Sequence, residues 1–346
     1  MNLRGKKVYV GLSGGVDSAV TATLLHKAGA IVTGVFIKGW YPPGMPCTWA
    51  ADRRDAMRVA AHLHIPFVTL DASAEYKKGV IEYLLNEYRA GRTPNPDSMC
   101  NREVKFGVFY RYAMNAGADY IATGHYAQTK EGKLFRGVDA KKDQSYFLWA
   151  VPKEALHKTL FPLGGMKKEA VRAYAHNHHL PVAYKKDSQG ICFLGSVSIE
   201  DFLRAEYGGL PGRAVTESGE DAGTHDGAIF YTIGERVSLP QGPWYVRKKD
   251  IERNVLVVSH DRLLPSAESA IAGDRVGLRE TNWYTTPLPA GETAAQYRYH
   301  GTCVEGCIVD TGAGYVFAEP LHERIAAGQS LVVYQGEEVV GGGIVV

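Results

Sequence analysis

Residues 8–20 read VYVGLSGGVDSAV. An apolar run over 7–12 breaks at Ser13-Gly14-Gly15-Val16-Asp17-Ser18, then resumes with Ala19, Ala22 and Leu25 at helical spacing until Gly29. The pattern is strand, glycine-rich turn, helix. Adjacent glycines let backbone amides approach an anion, Ser13 and Ser18 add hydroxyls, and the helix start adds its dipole. Asp17 does not itself attract phosphate, so it is expected to hold Mg2+ or to orient the loop. The Walker A lysine is missing, and the dinucleotide fingerprint Gly-x-Gly-x-x-Gly is not met. Gly11-Leu12-Ser13-Gly14-Gly15 satisfies the nucleophile-elbow formula, but that elbow normally follows several strands rather than the first one. The phosphate reading uses every residue of the loop.

Outward from this loop the chain alternates. Strands are expected over 7–12, 31–37, 67–70 and 120–123, with helices over 18–28, 53–64, 75–90 and 103–115. Such alternation implies a parallel sheet covered on both faces, with ligands beyond the C-terminal strand ends. After Gly195 the texture changes to Pro/Gly-punctuated short segments. From about residue 270 short β runs follow, at 277–279, 294–299, 306–310, 315–318 and 330–333, the pattern of a small antiparallel barrel or sandwich. The expected domains are 1–198, 199–268 and 269–346.

A chain of 346 residues suits two or three domains. Hydrophobic residues at 45% and charged residues at 22% are ordinary for a globular protein, and no uninterrupted apolar run is long enough to cross a membrane. Five cysteines without a Cys-x-x-Cys pair fit a reducing compartment rather than a disulfide scaffold or structural zinc. No targeting pattern is seen, so a cytoplasmic location is expected. The net charge is only +2, but residues 141–186 hold nine Lys or Arg against three acids, a solvated face or an electrostatic footprint.

Two cysteine-bearing stretches stand out. In residues 93–101, TPNPDSMCN, prolines stiffen a loop that places Asp97 three residues before Cys100. With the next helix expected just beyond, its dipole would bias the Cys100 thiol toward thiolate. In residues 186–195, KDSQGICFLG, Cys192 follows a glycine-flanked polar segment. Either cysteine alone would pass for a small buried hydrophobe.

SGGVDS after the first strand looks like the PP-loop of N-type ATP pyrophosphatases. Together with both cysteine stretches, the chain resembles the tRNA-specific 2-thiouridylase (MnmA) family. Further matching stretches are Thr123-Gly124-His125-Tyr126-Ala127, KDQSYFL from Lys142, FPLG from Phe161, YTIG from Tyr231 and Gly341-Gly342-Gly343. The resemblance implies an α/β PP-loop domain (adenine nucleotide alpha hydrolase-like), a small central domain and a C-terminal β-barrel-like domain. It implies ATP-dependent 2-thiolation of uridine 34, the wobble base of tRNA. ATP, with Mg2+, adenylates the C2 oxygen, pyrophosphate leaves, and AMP becomes the leaving group for sulfur.

By the same resemblance Cys192 carries a persulfide, which either attacks C2 directly or releases sulfide after attack by Cys100. Either route ends in a Cys100–Cys192 disulfide unless a reductant intervenes. Asp97 is the acid/base or orienting group. Gly11, Leu12, Ser13, Gly14, Gly15, Val16, Asp17, Ser18, Ile37 and Gly124 line the ATP site. Asn95, Pro96 and Asp97 contact the target base, and Lys142, Asp143, Gln144, Tyr297 and Arg298 touch tRNA. Implied partners are tRNAs of the Lys, Glu and Gln type and a sulfur donor, a cysteine desulfurase or relay carrier; no membrane is involved.

Two alternatives stay open: a 4-thiouridine or 2-thiocytidine enzyme on the same fold, or a tRNA-binding protein without catalysis. Elsewhere, Cys303 and Cys307 and the histidines 176, 178 and 179 read as structural or surface residues rather than a metal site, and Cys47, in a loop after Pro46, points to no role. His125 is balanced between packing and function. The tyrosines and tryptophans from Tyr284 to Tyr299 read as barrel core, with stacking platforms as the alternative.

Overall fold

The computed structural model describes residues 2–44, 48–187, 197–261, 275–285, 288, 293–312, 314–318 and 325–346. The N-terminal part begins β1 (Lys7–Gly11), α1 (Val16–Lys27), β2 (Ile31–Lys38), α2 (Trp49–His62), β3 (Phe67–Asp71). Next come α3 (Ser73–Tyr76) and α4 (Glu82–Arg89), joined by a π-helical stretch over Lys77–Ile81. A longer helical run comprises α5 (Pro96–Cys100), π-helical Asn101–Val108 and α6 (Phe109–Asn115). After β4 (Tyr120–Ala122) come a hairpin of β5 (Ala127–Lys130) and β6 (Lys133–Arg136), α7 (Lys153–His157), β7 (Thr159–Leu160) and α8 (Lys168–Asn177).

The parallel sheet is ordered β3-β2-β1-β4-β7. β1 alternates: Val8 and Val10 face a core with Ala19, Val20, Phe36 and Val59, whereas Tyr9 packs on the other core, with Val35, Tyr76, Leu84, Phe109 and Ile121. Covering helices on both faces make the sheet's central strands apolar throughout. The chain reverses direction across the sheet at β1, with β2 on one side and β4 on the other, so the switch point lies beside the loop after Gly11.

The helix carrying Cys100 starts seven residues earlier than the periodicity suggests, at Pro96 instead of 103. Asn95 caps it, accepting the Ser98 N–H at 3.2 Å, and proline suits the first helical position. Asp97 is therefore inside the first turn, not ahead of it. Cys100 lies one turn further in, where the dipole has largely decayed, so the expected thiolate bias from a helix start does not apply.

The second domain opens with α9 (Ile199–Tyr207) and has β8 (Gly212–Thr216), β9 (Asp221–His225), β10 (Arg236–Val237), β11 (Trp244–Asp250) and β12 (Val255–Ser259). These are ordered β10-β11-β12-β8-β9 around a small core of Ala214, Trp244, Val246, Leu256 and Val258. The C-terminal part holds β13 (Arg275–Trp283), β14 (Thr293–Gln296), β15 (Val304–Asp310), β16 (Tyr315–Ala318), β17 (Ser330–Gln335) and β18 (Glu338–Val345). β18 pairs with both β17 and β13, which closes a barrel. β18, with its three glycines, has no counterpart in the sequence expectations. The β5–β6 hairpin, also unforeseen, leaves the first domain and adds to the barrel sheet through Leu134 opposite Val339 and Phe135 opposite Glu338.

Candidate functional site

At the end of β1 the loop folds on its own hydroxyls. Ser18 Oγ accepts the Ser13 N–H at 3.2 Å, lies 3.2 Å from Ser13 Oγ, and donates to the Gly15 carbonyl at 3.1 Å. Ser13 Oγ also receives the Gly15 N–H at 3.4 Å, so this hydroxyl is occupied inside the loop rather than poised on a histidine base. No side chain caps α1 at Gly15, which leaves its first amides without an internal acceptor. From β4 the backbone of Gly124 lies against this helix start: a Cβ there would stand 2.9 Å from the Ser18 nitrogen. Only glycine permits that approach. A glycine-lined loop with an uncapped helix end fits a polyphosphate. Ile37, at the C-terminal end of β2, is buried in the core beside Tyr76.

Asp17 is bound from two directions. Lys168 Nζ donates to both its oxygens, at 2.7 and 2.8 Å, and the Tyr126 hydroxyl donates to one at 2.8 Å. Burial and the adjacent Asp17 charge push the Tyr126 phenol far up, so it stays a donor. Lys168 also pairs with Asp187 at 3.0 Å, and Asp187 takes Lys142 at 3.0 Å and Arg172 at 2.5 Å. Burial opposes ionisation of Asp187, but hydrogen bonds from Lys168 and Lys142 outweigh it and hold its pKa at about 2. Lys185 is likewise engaged, by Asp52 and Asp55. Much of the basic run over 141–186 thus neutralises acids of the same chain. Lys168 escaped the sequence reading because its partner lies 151 residues away.

The Cys100 helix meets the loop through the residue after Gly124. His125 Nε2 lies 3.3 Å from Lys105 Nζ, and its Nδ1 lies 2.7 Å from Thr123 Oγ1. Burial and the Lys105 charge hold His125 well below its usual pKa, so it is a neutral packing and hydrogen-bonding ring, edged by Phe106 and Phe161. Cys100 is fully buried. Cys192 lies outside the described residues, as does Cys47.

The base-contacting expectation at 95–97 and the tRNA-contacting one at 142–144 converge. The helix carrying Cys100 packs on the turn that follows 142–144: Asn101, the residue after Cys100, donates to the Phe147 carbonyl at 2.9 Å. Phe147 packs on Tyr299 with ring centres 4.5 Å apart. Burial raises the Tyr299 phenol, with Asp143, Asp139 and Asp97 adding to it, which puts Asp97 in its vicinity. Tyr299, exposed and stacked on His300, departs from the core reading of 284–299 and fits its stacking-platform alternative instead. Tyr284 is buried as barrel core; Tyr297 is buried too, which withdraws its ring from the surface where a tRNA contact is expected, while Arg298 beside it is exposed.

Asp143 is only 7% exposed and serves its own loop, accepting from Gly137 N, Ser145 N, Ser145 Oγ and Arg136 Nη1 at 2.8–3.3 Å. It shapes the loop rather than presenting a carboxylate to solvent. Gln144 accepts the Tyr126 N–H at 3.1 Å. Beside them a cleft of ≈ 390 Å³ is lined by Arg136, Lys141, Asp143, Gln296, His300 and Cys303. Cys303 and Cys307 are exposed and not bonded to each other. Among the described residues no group of three His, Cys, Asp or Glu is arranged to hold a metal ion.

This is a PP-loop nucleotide-binding α/β protein with two β domains appended to its C-terminal side. Family models match in the same order: a tRNA methyl transferase HUP domain over residues 6–196, a tRNA methyl transferase PRC-barrel domain over 200–260 and an aminomethyltransferase beta-barrel domain over 274–345. The chain is 43% identical to the tRNA-specific 2-thiouridylase MnmA of Chromohalobacter salexigens, covering 98% of this chain and 92% of the relative. It is 41% identical to that of Shouchella clausii, covering 98% and 96%. Likeness to solved structures is slighter: the U34-tRNA thiolase NcsA of Methanococcus maripaludis gives a TM-score of 0.38 at 19% identity, over 60% of this chain and 68% of that one. The chain belongs to the tRNA-specific 2-thiouridylase family.

Proposed function

We propose that the protein is an ATP-dependent tRNA sulfurtransferase that replaces the C2 oxygen of uridine 34 with sulfur, through adenylation of that oxygen and transfer from a persulfide on Cys192. The observation that carries this reading is the junction at 123–125, where Gly124 packs on the phosphate loop while His125 reaches Lys105 of the Cys100 helix. Nucleotide loop and cysteine then serve one reaction at one end of the parallel sheet.

ATP, when bound, supplies the chemistry that makes the C2 oxygen a leaving group; Mg2+ enters with its phosphates. The amides at the start of α1 face the phosphates and stabilise charge there, in a loop that the Ser13 and Ser18 hydroxyls hold in shape. Asp17, held by Lys168 and Tyr126, keeps the loop in shape. Asn95, Pro96 and Asp97 receive the unstacked base, which a wobble position gives up cheaply. Cys100, one helical turn on, either attacks the Cys192 persulfide, releasing sulfide to displace AMP at C2, or resolves the mixed disulfide left when that persulfide attacks C2; both routes close a Cys100–Cys192 disulfide. Tyr299 offers a ring on which a neighbouring base stacks, and Arg298 reaches a backbone phosphate.

The test is thiolation of unmodified tRNA transcripts of the Lys, Glu and Gln type with Mg-ATP and sulfide, read by retardation in a mercury gel. Retardation that requires ATP and is lost in Cys100→Ala supports the reading. ATP turnover and tRNA binding without retardation overturn the substrate assignment.

A further inference from the structure

Glu87 sits on α4 with its side chain 6% exposed, and its carboxylate is shared by two arginines from different domains. Arg92 holds it twice, Nε to Oε2 at 2.7 Å and Nη2 to Oε1 at 2.8 Å, while Arg279 of β13 reaches Oε2 at 2.7 Å. Burial opposes its ionisation, but the hydrogen bonds and charges of both arginines prevail and keep it a carboxylate. Arg279 also donates to Glu280, which in turn takes Arg102, two residues beyond Cys100. One barrel strand therefore grips the chain on both sides of residues 93–101.

The same barrel closes on the loop backbone. The Thr93 N–H donates to the Ala327 carbonyl at 2.8 Å, and Gln329 Nε2 donates to the Thr93 carbonyl at 2.7 Å. Gly328 between them has φ +91°, and a Cβ there would lie 3.0 Å from both Arg92 Cβ and Thr93 O, so the fit tolerates no side chain. From the central domain, Thr232 Oγ1 comes within 3.5 Å of Thr93 Oγ1.

The geometry points to Glu87 as a positioning residue: through Arg92 and Arg279 it fixes the loop that presents Asn95, Asp97 and Cys100, without touching substrate itself. The role rests on the function proposed above. Sub-ångström placement is what a site holding an extruded base against a thiol requires, and a buried bidentate carboxylate supplies it better than exposed pairs would.

The test uses the full-length chain with Glu87→Gln, Arg279→Gln and the milder Arg279→Lys. Amide exchange should accelerate at Thr93 and Ser98 by about tenfold or more in the first two variants, and less in Arg279→Lys, while strand β17 keeps its protection. In thiolation, kcat should fall by about tenfold or more with KM for tRNA within about twofold, and the double variant should be little worse than the worse single one. Unchanged exchange at Thr93 and Ser98, exchange raised equally in β17, or an unchanged kcat would each overturn the positioning role. A parent protein that makes no thiouridine overturns the proposed function instead, and the exchange data still decide whether Glu87 holds the loop.

Discussion

Lys168 Nζ holds both carboxylate oxygens of Asp17, at 2.7 and 2.8 Å, and so ties the phosphate loop to the first turn of α8. Removing one partner of a fully buried ion pair costs about 3–5 kcal/mol. Here both carboxylates are partly exposed, and each keeps a second donor: Tyr126 for Asp17, Lys142 and Arg172 for Asp187. We expect Lys168→Met to lose about 1–2 kcal/mol in denaturant unfolding and to lower kcat/KM for ATP by about tenfold or more. Lys168→Arg should recover part of the stability. An unchanged KM and kcat for ATP would remove Asp17 orientation from the mechanism.

Cysteine reactivity should follow burial. Cys100 is 0% exposed, whereas Cys303 and Cys307 are at the surface. Under limiting iodoacetamide, peptide mapping should find Cys303 and Cys307 alkylated first and Cys100 at least about tenfold more slowly. Cys100 labelling as fast as Cys303 would contradict the packing of α5.

Lys249 of β11 donates to the Tyr231 carbonyl at 2.8 Å and lies over the Tyr88 ring of α4, joining the central domain to the first. Burial lowers its pKa to about 8, only partly countered by Glu235. The unfolded chain, with a lysine near 10.5, therefore binds more protons between those values, and the contribution of Lys249 to stability rises with pH from about 8 to about 10.5. The difference in unfolding free energy between parent and Lys249→Met should shift in favour of the parent across that window and be flat below it. A difference independent of pH would mean the amine is well solvated.

Arg298 is exposed next to buried Tyr297, close enough to Tyr146 to influence its phenol. If it meets a tRNA phosphate, Arg298→Ala should weaken all three tRNAs alike and reduce the slope of log affinity against log salt by about 1. Filter binding across a salt series checks this. Tyr299→Ala should weaken binding without changing the slope, because stacking releases no counterions.

By itself the sequence determined the class of the first domain, its loop and the order of the three parts. Each of those depends on local chemistry: apolar spacing, two glycines after a strand, prolines before a cysteine. The helix start at Pro96 was also written locally, in Asn95 and Pro96, but two prolines read as loop. Other features belong to tertiary structure alone. The four-residue strands of the 127–136 hairpin carry too few residues for a period, and their pairing with Leu134 and Phe135 exists only once β18 is in place. Lys168 with Asp17, and Glu87 with Arg279, are charges among many until the fold brings them within 3 Å across 151 and 192 residues. The basic run over 141–186 reads equally as a solvated face or an electrostatic footprint until the acids paired with Lys142, Lys168, Arg172 and Lys185 are seen beside it. Long-range ion pairs leave no periodic trace in a chain, because charge has no preferred spacing until the backbone has chosen its path.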